Sequence, residues 1–143
     1  MKIMRIQLGV ILLALALSSC STNPKKITNK YKNFITQHNL ESIKKIQQFP
    51  FRGWSSLDSQ YFILSASQNK SYLIELYNYC NELDFSASIR LNQSMDNILS
   101  SNFDSISIPN QHFQDKCRID NIYLLSKQQV KELNSLKRTK NSQ

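Results

Sequence analysis

Glycine is scarce in this chain, which has only two glycines among 143 residues. A glycine-rich phosphate-binding loop needs several residues without a Cβ close together, so no loop of that kind is present. The zinc patterns C-x-x-C and H-E-x-x-H are missing as well, and no serine stands on the glycine-flanked turn of a hydrolase nucleophile. The best-defined signatures of nucleotide-binding proteins, zinc proteins and serine hydrolases are therefore absent.

The remaining composition is that of a globular domain. Apolar residues make up 41% of the chain and charged residues 20%, and these ordinary values argue against wholesale disorder and against fibrous proteins. The formal net charge is +8. This charge favours anionic neighbours but does not choose between nucleic acid, lipid headgroups and cell-wall polymer.

Residues 1–19 are predicted to be an export signal. Lys2 and Arg5 precede an apolar run from Leu8 to Leu17, which is too short to cross about 30 Å of hydrocarbon as a permanent helix. The run ends in Leu-Ser-Ser-Cys, which resembles the bacterial lipobox. The resemblance implies a lipoprotein acylated on Cys20, with palmitate among the expected acyl chains. An ordinary secreted protein with a chance cysteine is the alternative.

The residues after the lipobox bear on the final location. Ser21, rather than aspartate, follows the lipidated cysteine, and this is similar to Gram-negative lipoproteins that are sent on to the outer membrane. We therefore expect a protein anchored by lipid to the periplasmic face of the outer membrane. Residues 20–30 are polar and include Pro24, as suits a flexible tether. Nucleic acid is not an expected partner in the periplasm.

Export also bears on the other two cysteines, Cys80 and Cys117. An even pair in an oxidising compartment is expected to form one disulfide. A metal site is the alternative, because His112 and Asp115 lie close to Cys117 in the sequence. That site would leave Cys80 without a partner, so we predict the disulfide and no metal ion.

Helical periodicity precedes the central part of the chain. A first apolar stripe runs from Ile27 to Ile35, and a second stripe from Leu40 to Ile46 restarts the pattern. Asn39 stands at the break and is the expected N-cap of the second helix. The pattern predicts two short N-terminal helices, or one helix with a break.

In the central part the period changes from 3.6 to 2. From Leu83 to Asn92 five apolar residues alternate with five polar ones, which predicts a strand with one wet face and one buried face. Tyr61–Leu64 and Tyr72–Tyr77 predict a hairpin around residues 67–70, with asparagine rather than glycine supplying any positive φ. Further strands are expected at residues 51–57, 103–108 and 117–125.

The last segment predicts a closing helix. Ser126 and Gln129 have the spacing of a capping box, and an apolar stripe runs from Val130 to Leu136. Residues 138–143 form a basic tail, and the single periplasmic domain is expected to span residues 31–137. The predicted fold class is α+β, with N-terminal helices, an antiparallel sheet of five or six strands curled toward a small barrel, and a C-terminal helix.

Cations are concentrated in the two predicted helical regions. Residues 25–45 hold six lysines and one glutamate, and residues 127–140 hold five cations and one glutamate. The residues between these segments are mildly acidic. One interpretation is that the helical end faces anionic headgroups or polymer. The other is an ordinary solvated helix surface.

Catalytic groups are few. The chain has two histidines, His38 and His112, and four acidic residues between Asp58 and Asp84 that could supply a carboxylate pair for glycoside cleavage. Such a pair must flank the sugar from opposite sides, and one sequence does not show that arrangement. We therefore predict a protein that is not an enzyme, with no catalytic residues and no cofactor.

Aromatic residues of the strand region are the other candidates for function. A curved sheet with aromatic side chains and a cationic rim is how small barrels bind bases or sugars, although core packing accounts for most of these residues. Trp54 and Tyr79 are the candidate lining of a binding cleft. Gly53, the one glycine outside the signal segment, is expected to permit a bulge or a close backbone approach that turns Trp54 into the core.

The segment Phe-Arg-Gly-Trp-Ser-Ser-Leu-Asp at residues 51–58 resembles one in a family of small bacterial lipoproteins of unknown function. The similarity continues through Tyr72–Leu76, Cys80–Leu83 and Cys117–Ile122 and covers roughly residues 43–125. The family pattern is a Gly-Trp before an Asp, then Cys-x-x-Leu and Cys-x-Ile-Asp. The resemblance implies a periplasmic, disulfide-bridged domain and supplies no catalytic residues. This chain departs from the family in its turns, which contain less glycine and proline.

The expected function follows from location and from the lack of catalytic motifs. We expect a lipid-anchored lipoprotein that acts as a binding or structural module of the cell envelope, with an envelope protein as its partner. The alternative is an enzyme that acts on cell-wall glycans, or an inhibitor of such an enzyme.

Overall fold

A computed structural model describes residues 29–47, 49–109 and 116–139. Its fold is α+β, with a curled antiparallel sheet that forms half of a barrel and with a C-terminal helix. The predicted fold class is confirmed at this level. The signal segment, Cys20 and the tether up to residue 28 lie outside the described residues, and so do residues 140–143 of the predicted tail.

The elements follow the chain in this order: α1 (Lys30–Gln37), β1 (Ser42–Ile43), β2 (Lys45–Ile46), β3 (Gly53–Ser56), β4 (Tyr61–Ser65), β5 (Ser71–Leu76), a 3-10 turn (Leu83–Phe85), β6 (Arg90–Asn92), β7 (Leu99–Ser100), β8 (Ser105–Ser107), β9 (Cys117–Leu125) and α2 (Lys127–Thr139). Six strands lie side by side in the order β3-β4-β5-β9-β8-β6, and β1 also pairs with β9. β2 and β7 form a separate pair. β9 is therefore the central strand of the domain.

The sheet separates two apolar clusters because alternate side chains of β4, β5 and β9 point to opposite faces. One cluster joins the sheet to both helices, and its fully buried members include Tyr31 and Phe34 of α1 and Leu133 of α2. The other cluster fills the opposite side, where the β2–β7 pair and the segment before β6 cover the sheet. Both helices consequently lie on the same face.

The predicted pair of N-terminal helices is wrong, because the described residues contain one helix before β1. Asn39 has φ 48°, and the N–H groups of Asn39 and Leu40 donate to the carbonyls of Thr36 and Ile35 at 3.2 and 3.0 Å. This pair of bonds is the Schellman motif that ends many helices. Asn39 therefore closes α1 instead of starting a second helix, and the next residues form β1 and β2.

The most regular predicted strand, Leu83–Asn92, is also wrong over most of its length. Leu83–Phe85 forms the 3-10 turn, and only Arg90–Asn92 is a strand. Leu83 is buried, but Phe85 is 90% exposed. Alternation in the sequence is therefore not matched by alternation in burial.

Local hydrogen bonds explain why this segment leaves the strand conformation. Glu82 has φ 65°, a left-handed backbone that turns the chain just before Leu83. Further on, the Ser86 hydroxyl donates to the Ser88 carbonyl at 2.6 Å and accepts from the Ser88 N–H at 3.3 Å. Side-chain bonds of this kind offer the backbone an alternative to the ladder of a sheet.

The predicted hairpin is confirmed. All five residues of β4 pair with β5, and the Ala66 N–H closes the turn by donating to the Lys70 carbonyl at 2.9 Å. The turn uses no positive φ at Asn69. Left-handed asparagines occur elsewhere in the described chain, at Asn39, Asn97 and Asn102.

The predicted strands at residues 51–57, 103–108 and 117–125 are present as β3, β8 and β9. The capping box is present too, since the Ser126 N–H donates to Gln129 Oε1 at 2.8 Å and the Gln129 N–H donates to Ser126 Oγ at 3.2 Å. α2 continues to Thr139, so Arg138 belongs to the helix rather than to a tail. Of the residues described, no helix is long and apolar enough to cross a membrane.

Gly53 does not have the predicted role. Its φ is not positive, it pairs with Ser65 in a regular register, and a Cβ added to it meets no atom within 4 Å. Trp54 nevertheless reaches the apolar cluster on the side away from the helices, where its ring lies edge-on to Phe62 with centroids 6.2 Å apart. An ordinary strand conformation is enough to place Trp54.

We therefore expect Gly53→Ala to raise the free energy of unfolding by about 0.5 kcal/mol, because alanine reduces the conformational freedom of the unfolded chain. Urea unfolding compared with the wild type measures the change, with the exposed neighbour Ser55→Ala as the control. A loss of 1 kcal/mol or more, as expected for a glycine at positive φ, would contradict this assignment.

Candidate binding site

Cys80 and Cys117 form a disulfide with their Cα atoms 5.7 Å apart, as the sequence predicts. The bridge joins the segment after β5 to the first residue of β9. Two backbone bonds hold the same segment, since the Tyr77 N–H donates to the Arg118 carbonyl at 3.0 Å and the Cys80 N–H donates to the Ser59 carbonyl at 2.7 Å. Residues 77–80 are thus fixed at both ends.

An open pocket of about 430 Å³ lies beside this bridge. We call it the aromatic–cationic pocket, and its lining residues are Tyr77, Asn78, Tyr79, Lys116, Cys117 and Arg118. Tyr77 is 56% exposed and Tyr79 is 72% exposed. The volume is within the range of about 300–1,000 Å³ found for ligand sites.

The charged side chains that the structure describes in the aromatic–cationic pocket are cationic. Among the described residues, its lining contains Lys116 and Arg118 and no acidic residue. The guanidinium carbon of Arg118 lies over the Tyr77 ring, 4.2 Å from the ring centroid, a cation–π contact. A guanidinium carries its donors at the edge of its plane, so a cation–π contact through its face does not use them.

The structure does not bring the predicted cleft residues Trp54 and Tyr79 together. Tyr79 lines the aromatic–cationic pocket, whereas Trp54 pairs with Leu64, and Leu64 pairs with Tyr72 near the start of β5. Tyr79 follows the opposite end of β5. The length of that strand, roughly 13 Å from Tyr72 to Leu76, therefore separates the two rings along the sheet.

Sequence reasoning missed Tyr77, Lys116 and Arg118. Each lies within three residues of a bridged cysteine. Since a disulfide brings its two Cα atoms within about 7 Å, the predicted bridge also implies that the neighbours of Cys80 and Cys117 meet. The signal was present in the cysteine spacing.

Glu75 is the centre of a second polar cluster, on the helix-bearing face of the sheet. Its carboxylate accepts from Tyr61 Oη at 2.6 Å, from Tyr123 Oη at 3.1 Å and from Asn121 Nδ2 at 3.1 Å. Burial, reinforced by this carboxylate, raises the pKa of Tyr61 and of Tyr123 well above the usual value of 10. The hydrogen bonds of this cluster join β4, β5 and β9, and they use both oxygens of the Glu75 carboxylate.

Other acidic residues considered for glycoside cleavage also have structural partners. The Asp58 carboxylate accepts from the N–H groups of Gln60 and Tyr61, both at 2.8 Å, and holds the turn before β4. Asp84 pairs with Lys137 of α2 at 3.3 Å. Through these contacts Asp58, Glu75 and Asp84 each stabilise the fold.

The tyrosines of the helix-bearing face lead to an alkaline prediction. Burial raises the pKa of Tyr31, Tyr61 and Tyr123 in the folded state above the ordinary value of 10. Below pH 10 these tyrosines are neutral in both the folded and the unfolded chain, and the domain keeps its full stability. As the pH rises further the unfolded chain ionises first, so this stability is lost. We expect the free energy of unfolding to fall above about pH 10.

Circular dichroism and tyrosinate absorbance followed against pH measure this effect. The double variant Tyr61→Phe, Tyr123→Phe should show a shallower decline of stability, whereas Tyr79→Phe, at an exposed position, should follow the wild type. Ionisation of all six tyrosines without loss of the folded spectrum would contradict the assignment.

A metal site is not found in the part of the chain that the structure describes, because no three His, Cys, Asp or Glu residues there are placed to hold an ion. Of the alternative metal ligands, His112 and Asp115 lie outside that part, and Cys117 is in the disulfide. His38 pairs with Glu132 of α2 at 3.1 Å.

The basic segments of the two helical regions meet on one side of the domain. α1 and α2 pack against the same face of the sheet, and the Lys30 ammonium donates to the Leu136 carbonyl. Lys137 donates to the carbonyl and hydroxyl oxygens of Ser56 at 2.8 and 2.7 Å. Two of the helix cations therefore serve packing, while Lys32 and Lys131 are exposed.

The fold and the site define a small α+β domain in which a half-barrel sheet carries helices on one face and an aromatic–cationic pocket beside its disulfide. The chain belongs to a family of unknown function, DUF6491, whose model matches residues 2–141. Neither a curated protein nor a solved structure gives a match. The expected membership of a family of unknown function is confirmed, while lipidation and the family motifs stay predictions.

Proposed function

We propose that this protein is a lipid-anchored lipoprotein at the periplasmic face of the outer membrane, where it acts as a non-enzymatic binding module of the cell envelope. The observation that carries the proposal is the aromatic–cationic pocket, in which Tyr77, Tyr79 and Arg118 are presented to solvent. Tyrosine and arginine, together with tryptophan, are enriched among the residues that dominate binding energy.

Rigidity supports the same role. The disulfide and the Tyr77–Arg118 backbone bond hold both sides of the aromatic–cationic pocket before any ligand arrives. A site that is already ordered loses less conformational entropy on binding, so its affinity for the ligand is higher. Large aromatic rings exposed on a rigid segment are more typical of a binding site than of a packed core.

The proposed anchor comes from the sequence, and the start of α1 is compatible with it. Lys30 begins α1 ten residues after Cys20, and a stretch of that length reaches at most about 35 Å when fully extended. The domain would therefore stay close to the bilayer surface. The exposed helix cations would add attraction to anionic headgroups on the order of 1 kcal/mol each near the surface.

Crosslinking in intact cells followed by affinity capture tests the binding role. The wild type should yield one stoichiometric envelope component, and Tyr79→Ala and Arg118→Gln should lose it. Phe85→Ala and Arg90→Gln are matched controls, since both residues are exposed and neither lines the aromatic–cationic pocket. Capture of the same component by all variants, or of none by the wild type, would overturn the proposal.

Mass spectrometry of the protein from native envelopes tests the anchor separately. The expected form begins at Cys20 and carries acyl chains, and Cys20→Ser should release the domain from the membrane fraction. An unprocessed Met1, or a bare thiol at residue 20, would overturn lipidation without bearing on the aromatic–cationic pocket.

A further inference from the structure

We infer that the aromatic–cationic pocket binds an anionic glycan, with a sugar ring packed on Tyr79 and a carboxylate of the glycan held by Arg118 and Lys116. The inference rests on the proposed binding role and adds the chemical class of the ligand. It follows from the charge, the ring exposure and the backbone pairing of this one site.

The charge of the site favours an anion. In the described part of the chain neither Lys116 nor Arg118 forms an ion pair, and none of the described lining residues is acidic and would compete for them. The guanidinium carbon of Arg118 lies over the Tyr77 ring, 4.2 Å from the ring centroid. That contact orients the guanidinium before binding, and its fork of donors matches the two oxygens of a carboxylate.

The rings favour a sugar as the carrier of that carboxylate. Arg118 covers one face of Tyr77, whereas Tyr79 is 72% exposed and has no ring partner among the described residues. The C–H face of a pyranose is apolar and flat enough to pack on such a ring. Asn78 lies between the two tyrosines, and its amide supplies both donors and acceptors for hydroxyl groups.

Backbone pairing argues against an acidic peptide. Extended peptides gain much of their affinity by adding a strand to an open sheet edge. Here the Tyr77 N–H already donates to the Arg118 carbonyl at 3.0 Å. The residue after β5 is therefore paired with β9 at this point. The Tyr77 N–H is therefore not available to an added strand, which favours recognition of the ligand through side chains.

Isothermal titration of the full-length protein in detergent micelles tests the ligand class. The probes are hexagalacturonate, which carries a carboxylate on every sugar, the neutral sugar chitohexaose, and hexaglutamate. We expect hexagalacturonate to bind at least about tenfold more tightly than either of the others, since it alone supplies rings and carboxylates together. Solubilised cell-wall glycan strands and lipopolysaccharide core sugar then distinguish the two natural sources of such a glycan.

Variants assign the binding to the site. Tyr79→Ala and Arg118→Gln should each weaken hexagalacturonate binding about tenfold, whereas Tyr79→Phe should retain it because the ring remains. Phe85→Ala and Arg90→Gln should match the wild type. Circular dichroism of each variant establishes that the fold is intact.

The outcomes separate this inference from the proposed function. The inference of a glycan ligand would be contradicted by equal binding of hexaglutamate. It would also be contradicted if the protein bound no glycan but still captured its envelope component through Tyr79. In both cases the proposed binding role would remain. Glycan binding that all variants retain would overturn the assignment of the aromatic–cationic pocket as the site.

Discussion

Replacement of both bridged cysteines, Cys80→Ala with Cys117→Ala, is expected to lower the free energy of unfolding by about 4 kcal/mol. The bridge closes a loop with a sequence separation of 37 residues, and loop-closure entropy of the unfolded chain gives a figure of about this size. Total stabilities of small domains are roughly 5–15 kcal/mol. The variant should thus retain the fold with a much reduced margin.

Urea unfolding of the wild type and the double variant, each at two pH values below 8, measures this loss. Addition of a reductant should shift the wild type to the midpoint of the variant and leave the variant unchanged. Cys20→Ala is the control, because it removes a cysteine and keeps the bridge. An unchanged midpoint in the double variant would show that residues 77–80 hold their place without the disulfide.

The bridge also connects stability to the proposed site. Tyr77, Tyr79 and Arg118 lie next to the bridged residues, so loss of the disulfide should loosen the aromatic–cationic pocket before it unfolds the sheet. Hydrogen exchange of the Cys80 amide, which donates to the Ser59 carbonyl at 2.7 Å, reports on this local opening.

Local sequence signals predicted the elements whose causes are local. The capping box of α2 is formed by two side chains three residues apart, and both of its hydrogen bonds are present. The hairpin of β4 and β5 needs two apolar strands and a short turn, and its register follows from those strands alone. Such elements are specified by residues that are close together in the sequence, so one sequence is enough to predict them.

Elements that depend on distant partners were not predictable in the same way. The segment Leu83–Asn92 has a strand pattern, but the bridge at Cys80 and the left-handed Glu82 turn the chain before the pattern begins. In residues 40–46, apolar spacing of three residues fits a helix and equally fits two short strands. Pairing of β1 with β9 and of β2 with β7 decides between them.

The candidate site shows the same division. Sequence reasoning reached Tyr79 because small curved sheets bind ligands through aromatic side chains. It reached both cysteines because an even pair in an oxidising compartment is expected to form a disulfide. Lys116 and Arg118 become part of a site only when the bridge brings the start of β9 beside residues 77–79. Trp54 was grouped with Tyr79 because of composition, and only the register shows that they lie at different ends of the sheet.

Asp104 is a buried carboxylate for which the sequence contains no distinguishing pattern. It is 1% exposed, and it accepts from the Ser94 N–H at 2.7 Å, from the Ser94 hydroxyl at 2.5 Å and from the Ser100 N–H at 2.6 Å. Its own carbonyl accepts from the Ile119 N–H of β9 at 2.9 Å. One residue thus fixes the loop between β6 and β8 to the central strand.

Asp104→Ala is therefore expected to lower the free energy of unfolding by roughly 3 kcal/mol, because it removes a buried carboxylate that accepts from the N–H groups of Ser94 and Ser100 and from the Ser94 hydroxyl. Asp104→Asn keeps the volume but turns an amide donor toward one of these N–H groups, and we expect a loss of roughly 2 kcal/mol. Urea unfolding measures both, with Asp96→Asn as the control, since Asp96 is an exposed carboxylate of the same loop. Equal stabilities of the Asp104 and Asp96 variants would mean that the loop is held by its apolar contacts and not by this carboxylate.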